Sequence, residues 1–338
     1  MSGQMMMLRR RPLVLGLLAV ALLPRQVMAN GGSVQRASAP LLGTQVDITV
    51  SHPDADLRRQ ALGAAWREML RQSEMMSRYR SASQVSALAR AAGTAAVPVA
   101  PELMQVLLAG QQLARDSEGH FDLTVGAYAD WGFEPGQAHM AEASALRRQQ
   151  RLVDYRDLQL DSATLSARLR RPGMRLDLGG IAKLPILQAG LRSLQSMGIR
   201  DALINGGGDV LCSGQLQGRD WRIGLRDPRE PAQLLGVLSL SGGVVAASGD
   251  YERGFDLGGR RYHHILDPRN GQPSQGLQGL ALVARDVEAV NGWGAAMMVA
   301  GAPMARRWLA AMPGVEAMLA GPQGLWLSPG LRGRLASA

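Results

Sequence analysis

The stretch MRLDLGGIAKLPILQAGLRSLQSMG at residues 174–198, followed by RDALINGGGDVLCSG at 200–214, decides the fold class. The first segment has the pattern of a strand, a glycine turn and a helix. The second predicts a strand that is interrupted by glycines. Helix and strand signals alternate here without a strict strand–helix–strand rhythm, so the pattern favours an α+β fold over a parallel α/β fold.

The flanking segments also mix predicted helices and strands. Residues 41–50 alternate like a strand, and 54–79 carry apolar residues at helical spacing. Residues 97–119 predict a strand end and a helix that Gly119 closes. The polar segment 134–170 predicts a loop and a short helix. Further along the chain, the pattern predicts strands at 221–228 and 234–249, a helix at 304–312 and a closing hairpin at 315–328. We therefore expect one two-lobed body with a mixed or antiparallel sheet.

The composition is that of a globular protein, with 46% hydrophobic and 19% charged residues in a chain of 338. The 41 glycines indicate many tight turns or close approaches to a ligand. The single Cys212 excludes an internal disulfide. The arginines are scattered among acidic residues, which disfavours a nucleic-acid partner because such proteins need a clustered basic face.

Residues 1–29 have the pattern of a signal peptide. MMMLRRR is basic, PLVLGLLAVALL is apolar but too short to span a bilayer comfortably, and QVMA ends at a cleavage site after Ala29. Export is therefore favoured over a retained anchor, with a mature chain of residues 30–338 in the periplasm. Arg9–Arg11 leave the twin-arginine route open. No cysteine follows the apolar run, so the pattern gives no lipid-anchor site.

Lys183 is the only lysine, and the other 36 basic residues are arginines. It closes DLGGIAK (177–183), where Gly179 and Gly180 stand between a predicted strand and a predicted helix. Glycines let the backbone approach a ligand, a helix N-terminus favours negative charge, and lysine pairs with phosphate. The pattern favours a phosphate-binding turn over a plain turn, although it matches neither the P-loop nor the dinucleotide motif.

Three more segments carry polar chemistry: NGGGD (205–209), SGDYER (248–253) and YHHILDPRNGQP (262–273). The last contains His263 and His264, two of only five histidines. A zinc site would need more ligands at defined spacing. A histidine for proton transfer or phosphate contact is the better-supported interpretation.

The segment AVNGWGAAMM at 289–298 predicts a helix start. Asn291 stands at its first turn, where asparagine is a favourable N-cap. A structural cap is therefore one interpretation of Asn291.

Taken in order, eight motifs resemble those of the ApbE-type FAD:protein FMN transferases, over about residues 41–330. They are LLGTQV, SRYRSASQVSAL, HFDLTVGAYADWGF, DLGGIAK, NGGGDV, WRIGLRDP, ASGDYER and HHILDPRNGQP. The resemblance implies an α+β fold with an FAD cleft, an exported location, and transfer of FMN from FAD to a threonine of a partner flavoprotein. It implies Mg²⁺ as the electrophile in this phosphoryl transfer. Nucleic acid would not be a partner, and a membrane would be met only through the acceptor or an uncleaved signal.

The resemblance also assigns residues. The positions that would contact FAD are Leu42, Tyr79, His120, Phe121, Asp122, Asp177, Lys183 and, through its main chain, Ile265. His264 matches the histidine that assists transfer, and the Gly180 carbonyl matches a metal ligand. The family's other two ligands, an Asp and a Thr four residues on, fall at Asn291 and Ala295. Because Mg²⁺ prefers anionic oxygen, this departure predicts a weakened or lost metal site.

Three interpretations stay open at this point. The chain is an active Mg²⁺-dependent flavin transferase with a weakened metal site, or a non-catalytic FAD-binding relative that acts as a carrier or accessory protein. The third is an FAD pyrophosphatase that releases FMN and AMP, with water as the nucleophile.

Overall fold

The protein is described by a computed structural model, which covers residues 32–134, 136–230 and 232–336. The signal-peptide prediction falls on residues 1–29, which lie outside these ranges. Among the helices of the described ranges, none combines the length and the hydropathy needed to cross a bilayer.

Helix ends follow local sequence signals. The Asp54 side chain accepts hydrogen bonds from the N–H groups of Asp56 and Leu57 at the start of the first helix. Gly119, with φ of 77°, ends the third as predicted, and its N–H donates to the Ala114 carbonyl. The helices are α1 (Ala55–Met76), α2 (Gln84–Arg90), α3 (Pro101–Asp116), α4 (Ala143–Gln150), α5 (Lys183–Ser196), α6 (Trp293–Ala300), α7 (Ala302–Ala310) and α8 (Pro329–Arg332).

The strands form one large sheet and three small ones, and paired strands run antiparallel throughout the described ranges. The strands are β1 (Val34–Leu41), β2 (Thr44–Ser51), β3 (Val97–Pro98), β4 (Leu158–Asp161), β5 (Ser166–Leu169), β6 (Asp201–Gly206), β7 (Asp209–Ser213), β8 (Trp221–Arg226), β9 (Leu234–Leu240), β10 (Gly242–Gly249), β11 (Gly254–Leu257), β12 (Arg260–His263), β13 (Gly279–Ala284), β14 (Glu316–Gly321), β15 (Gly324–Leu327) and β16 (Leu335–Ala336). The large sheet has the order β1-β2-β6-β7-β10-β13-β14-β15. The small sheets are β3-β5-β4, β16-β9-β8 and β11-β12.

One face of the large sheet packs on helices. Ile48 of β2 and Ile204 of β6 belong to the same buried cluster as Met69 of α1 and Leu187 of α5. Helices α1 and α5 approach closely at Gly190, where a Cβ atom would lie 2.6 Å from the sulfur of Met69. This close packing fixes α5, and with it the turn that precedes α5, against the sheet.

The other face packs on the small β16-β9-β8 sheet. Strand β8 alternates buried and exposed residues, and its buried Trp221 and Ile223 meet Val210 and Cys212 of β7 in a second apolar cluster. Burial, with the charge of Asp220, raises the pKa of the Cys212 thiol to about 12. The α+β class is thus confirmed, and the two larger apolar clusters lie on the two faces of one sheet.

Two predicted strands differ in the structure. Residues 41–50 span a hairpin, because Leu42 and Gly43 both adopt positive φ and reverse the chain between β1 and β2. Residues 174–177 form no named strand. They run beside the loop at 122–125 through one isolated bridge, Val125 to Arg175, and a hydrogen bond from the Asp177 N–H to the Leu123 carbonyl.

Two further predictions need correction. The segment 134–170 holds strands β4 and β5 in addition to the predicted short helix, because buried Leu158, Ala167 and Leu169 pack on the core despite polar neighbours. Asn291 is not the N-cap of α6. Gly292 takes that position with φ of 78°, and no side chain caps the helix.

The register of the large sheet brings several turns to one end. Val46 near the start of β2 pairs with Gly206 at the end of β6, so the β1–β2 turn and the β6–β7 turn lie side by side. Strand β10 ends beside them, and α6 begins there, since a Cβ atom on Gly294 would overlap the Ser248 hydroxyl. We call this the turn end of the sheet.

Candidate functional site

Two tight hairpin turns form the floor of the site at the turn end of the sheet. Leu42 and Gly43 have φ of 58° and 72°, and Gly207 and Gly208 have φ of 65° and 97°. Positive φ at both central residues gives a turn whose twist matches the strands. Gly207 lies directly against Thr44, where any side chain would overlap the threonine. The leucine in the left-handed region is the unusual member, because such φ values are rare for residues other than glycine.

Lys183 joins three elements at this end. Its Nζ lies 3.0 Å from Oδ2 of Asp209, the first residue of β7, while Asp209 Oδ1 accepts a hydrogen bond of 2.8 Å from the Ala247 N–H of β10. Lys183 is also the first residue of α5, where the helix dipole disfavours a cation. The ion pair with a buried carboxylate, and not helix preference, therefore accounts for a lysine at this position.

Asp177 is held by an arginine from a distant part of the chain. Arg78 donates to Asp177 Oδ2, and the Gly179 N–H donates to Oδ1 at 2.8 Å. Burial alone would raise the pKa of Asp177, but the charge of Arg78, these hydrogen bonds and the charge of Arg253 lower it below its ordinary value. The carboxylate is therefore ionised at neutral pH, and it shapes the DLGGIAK turn.

The Arg78 pairing also places Tyr79. The guanidinium of Arg78 lies 5.4 Å from the centroid of the Tyr79 ring, which is 74% exposed. A single exposed ring is ordinary on a protein surface, so its exposure leaves it accessible without by itself indicating a ligand. The position is therefore compatible with the predicted flavin contact.

His120 is fixed by contacts on both ring nitrogens. Its Nδ1 lies 2.7 Å from the Ser117 carbonyl, and its Nε2 lies 3.1 Å from Nη1 of Arg269. Because a carbonyl accepts and a guanidinium donates, the ring carries its proton on Nδ1. The ring edge also meets Trp308, with centroids 5.6 Å apart.

Asp122 has a structural role in addition to its predicted flavin contact. It is buried, and its oxygens accept hydrogen bonds from the N–H and hydroxyl of Thr124 and from the N–H of Tyr155. Burial raises its pKa, and these hydrogen bonds offset only part of the rise. With its oxygens so engaged, Asp122 holds the loop that carries His120 and Phe121. Direct contact of Asp122 with FAD stays a prediction.

His264 follows β12 and lies close to Arg253. The main-chain N–H of His264 donates to the Arg253 carbonyl at 3.2 Å, and its ring Nδ1 lies 3.3 Å from the same oxygen. Burial and the charge of Arg253 lower the pKa of His264 to about 3. The ring is therefore neutral, with its proton on Nδ1 and a lone pair on Nε2.

The two residues on either side of His264 are held by hydrogen bonds to Ser274. His263 is buried, and its Nε2 lies 2.9 Å from the Ser274 carbonyl. The Ile265 carbonyl accepts a hydrogen bond of 2.9 Å from the Ser274 N–H, and this pairing closes the loop at 265–274. The main-chain contact to FAD that Ile265 is predicted to make is untested by this geometry.

An aromatic cluster supports the hairpin that precedes His264. Trp131 stacks on Phe133, Phe133 lies against Phe255, and Phe255 stacks on Tyr262, with centroids 5.4–6.2 Å apart. These contacts bind hairpin β11–β12 to the loop at 129–134. Arg253, at the base of this hairpin, makes a long ion pair of 3.5 Å with Glu134.

Two of the three predicted metal positions, Gly180 and Ala295, lie together at the DLGGIAK turn. A Cβ atom on Gly180 would lie 3.3 Å from both the Ala295 methyl and a ring carbon of Phe121, so Gly180 and Ala295 are neighbours. Asn291 stands two residues before α6, and its N–H donates to the Val287 carbonyl. The structure thus brings Gly180, Ala295 and Phe121 together.

The sequence pattern of the ApbE family matches residues 42–319, most of the chain. A Rhodobacter capsulatus protein named FAD:protein FMN transferase is 34% identical over 333 residues, a match that covers 94% of this chain and 62% of that protein. This chain therefore spans less than two thirds of the length of the Rhodobacter protein. A Klebsiella pneumoniae protein of the same name is 34% identical over 239 residues, or 70% of this chain and 72% of its own length.

The chain belongs to the ApbE family. Solved structures agree with this assignment. The crystal structure of the ApbE protein from Thermotoga maritima has 28% identity and a TM-score of 0.82, over 90% of this chain and 100% of its own. The flavin transferase ApbE from Vibrio cholerae, at 22% identity, has a TM-score of 0.77 over 90% of this chain and all of its own, which shows the common fold.

The metal positions of this ApbE chain do not fit a resident Mg²⁺ ion. Asn291 offers one neutral amide oxygen and Ala295 offers none, so the three positions supply two neutral oxygens at most, one of them the Gly180 carbonyl. Mg²⁺ requires near-octahedral oxygen ligands and favours carboxylates. Within the described ranges, no cluster of three or more His, Cys, Asp or Glu side chains is arranged to hold a metal.

Several residues of this ApbE site were not predicted from the sequence. Arg78, Asp209 and Arg253 each contact or influence a predicted residue, yet none was assigned a ligand role. The clearest case is Arg78, whose partner Asp177 is separated from it by 99 positions. One signal was available for Asp209, because it ends the glycine turn NGGGD, a motif whose carboxylate had no assigned partner.

Proposed function

We propose that this ApbE-family chain transfers FMN from FAD to a threonine side chain of a partner flavoprotein. The names of its relatives support this proposal. The single observation that carries it is the state of His264, a neutral imidazole whose Nδ1 proton is held by the Arg253 carbonyl. Such a ring can accept a proton at Nε2, which is what a threonine hydroxyl must lose to become a nucleophile.

The chemistry follows from this arrangement. The threonine oxygen attacks the phosphorus that bears the riboflavin chain, and its proton passes to His264 Nε2. A new phosphorus–oxygen bond to threonine forms, and the bond from that phosphorus to the bridging oxygen breaks. AMP leaves with the bonding electron pair. Lys183 binds phosphate from the floor of the site, while Asp177 and Asp122 hold the two loops that meet around FAD.

The direct test is covalent labelling of an acceptor. The mature protein is incubated with FAD, with and without Mg²⁺, and with an acceptor-domain fragment of a flavoprotein that carries the target threonine. A fluorescent fragment band in a denaturing gel is the expected result, and the same fragment with Thr→Ala is the matched control. The absence of any labelled band while FAD still binds would contradict the proposal.

A second candidate function is FAD binding without catalysis, as a carrier or accessory protein. The observation that favours it is the neutral donor set at Asn291 and Ala295. It predicts tight FAD binding with no labelled acceptor and no AMP. If AMP and free FMN appear without labelling, the FAD pyrophosphatase interpretation is supported instead.

We further propose that the mature protein begins at residue 30 and works in the periplasm on an exported acceptor. The basic and apolar segments of residues 1–29 and the cleavage pattern before Asn30 support this location. Mass spectrometry of the protein purified from its native host should find Asn30 as the first residue. A first residue within 1–29 would contradict cleavage at this site.

The lowered pKa of His264 gives a test that does not depend on turnover. An unperturbed histidine titrates near 6.5, whereas His264 stays neutral down to a pKa of about 3. The NMR signal of its ring, identified by its loss in His264→Gln, should show no transition between about pH 5 and 8. Because the unfolded chain binds this proton first, the free energy of unfolding should fall as the pH drops below about 6.5. This fall should be smaller in His264→Gln, and a His264 transition near neutrality would contradict the prediction.

A further inference from the structure

The transfer reaction needs positive charge at the diphosphate, and the metal positions of this chain cannot be its main source. FAD brings a dianionic diphosphate, and charge moves onto the leaving phosphate as the bond breaks. Asn291 and Ala295 supply no anionic oxygen to hold a divalent cation. Lys183 shares its charge with Asp209, so a second cation is needed to stabilise the moving charge. The inference that follows rests on the proposed function.

Arg253 lies beside the proposed base, where a cation could stabilise the charge on the diphosphate. Its carbonyl contacts both the main chain and the ring of His264, so the residue borders the proposed base. Its guanidinium charge lowers the pKa of both His264 and Asp177, so the cation is near enough to act on both groups. A phosphate that reaches both His264 and the DLGGIAK turn passes close to Arg253.

Arg253 also has a weaker ion pair than the neighbouring cations of this region. The neighbouring cations are engaged by carboxylates in short or two-bonded pairs: Arg78 by Asp177, Lys183 by Asp209, Arg229 by Asp250 and Arg269 by Asp267. Within the described ranges, the one carboxylate paired with Arg253 is Glu134, at 3.5 Å, and both side chains of that pair are substantially exposed. An exposed pair at this distance contributes little, so the guanidinium can turn to an anion at small cost.

We propose that Arg253 is a catalytic residue of this chain, whose guanidinium binds the non-bridging oxygens of the FAD diphosphate where a metal ion would otherwise neutralise them. A planar guanidinium can make two parallel hydrogen bonds to one phosphate, a geometry that lysine cannot offer. Arg253 is not consumed. The proton still passes to His264, and AMP still leaves with the electron pair of the broken bond.

The test measures transfer and FAD affinity with EDTA and with Mg²⁺. In the wild-type protein, EDTA should change the transfer rate by no more than about twofold. Arg253→Met should lower transfer by about 10³-fold, as for arginines that stabilise phosphoryl transfer. It should weaken FAD binding by about tenfold. Arg253→Lys should recover only part of the loss, because lysine keeps the charge without the two-bonded geometry.

A metal-restored background gives the sharper comparison. Asn291→Asp with Ala295→Thr should create Mg²⁺ binding, measured by calorimetry on the protein without FAD, and should make transfer sensitive to EDTA. In the presence of Mg²⁺, adding Arg253→Met to this background should lower the transfer rate much less than the same substitution does in the wild type. Arg260→Met is the matched control, since Arg260 lies exposed on the same hairpin against Tyr262 and should have little effect.

Three results would overturn the proposal: loss of wild-type transfer in EDTA, full transfer by Arg253→Met, or no change of FAD affinity in Arg253→Met. If the wild type labels no acceptor under any condition, the proposed function fails. FAD affinity then decides the role of Arg253. A tenfold loss in Arg253→Met, without a loss in Arg260→Met, supports the diphosphate contact, whereas equal affinities refute it.

Discussion

His264→Gln should lower the rate of FMN transfer by about 10²–10⁴-fold while leaving FAD bound. Glutamine keeps the approximate size and polarity of the ring but cannot accept the threonine proton as a base. The loss should appear in single-turnover labelling of the acceptor, where product release does not limit the rate. FAD affinity, measured by flavin fluorescence, should change much less than the rate.

His139→Gln serves as the matched control for this prediction. His139 is exposed on the loop at 136–140, where its Nδ1 lies 2.8 Å from the Gln137 carbonyl and its ring lies against Gly132. Transfer by this variant should remain close to that of the wild type. If His264→Gln transfers FMN as fast as His139→Gln, His264 is not the base, and the neutral imidazole has another role.

Lys183→Ala should weaken FAD binding by more than tenfold and also destabilise the fold. The substitution removes the phosphate contact at the floor of the site. It also leaves the Asp209 carboxylate buried without its cation, and an acceptor left in this state costs about 1–3 kcal/mol. Titration with FAD and urea denaturation measure the two effects separately.

The variant Lys183→Ala with Asp209→Asn separates binding from stability. The neutral asparagine needs no cation, so this double change should recover most of the unfolding free energy but not the FAD affinity. Recovery of FAD affinity in the double variant would mean that Lys183 serves only to neutralise Asp209. Unchanged affinity in Lys183→Ala alone would remove the argument from the sole lysine.

Local patterns were sufficient for much of the fold. Helical spacing of apolar residues predicted α1, the strand–turn–helix patterns predicted α3 and α5, and the segments VEAMLAG and GLWLS predicted the hairpin of β14 and β15. The β1–β2 turn escaped prediction because leucine at position 42 is a poor turn residue. Strands β4 and β5 were not predicted, because their few buried residues stand among polar residues in the sequence.

The site was predictable where a residue was unusual in itself, and less so where it acts through a partner. Lys183 was identified because no other lysine exists, and the structure places it against Asp209 at the turn end of the sheet. Arg78 and Arg253 could not be distinguished from the other arginines, since their partners become neighbours only when the chain folds. Asn291 was interpreted as a cap because its sequence position resembles one, whereas Gly292 takes that position.

The burial of Cys212 gives this chain a practical property. Its thiol has a pKa of about 12 and lies inside the second apolar cluster, so at neutral pH it is almost entirely protonated and shielded from solvent. Maleimide reagents should therefore not react with it. A cysteine introduced at Gly258, on the exposed tip of hairpin β11–β12, would then be the one thiol that reacts. A fluorophore or spin label at that point would report how far an acceptor approaches His264, without first removing a native cysteine.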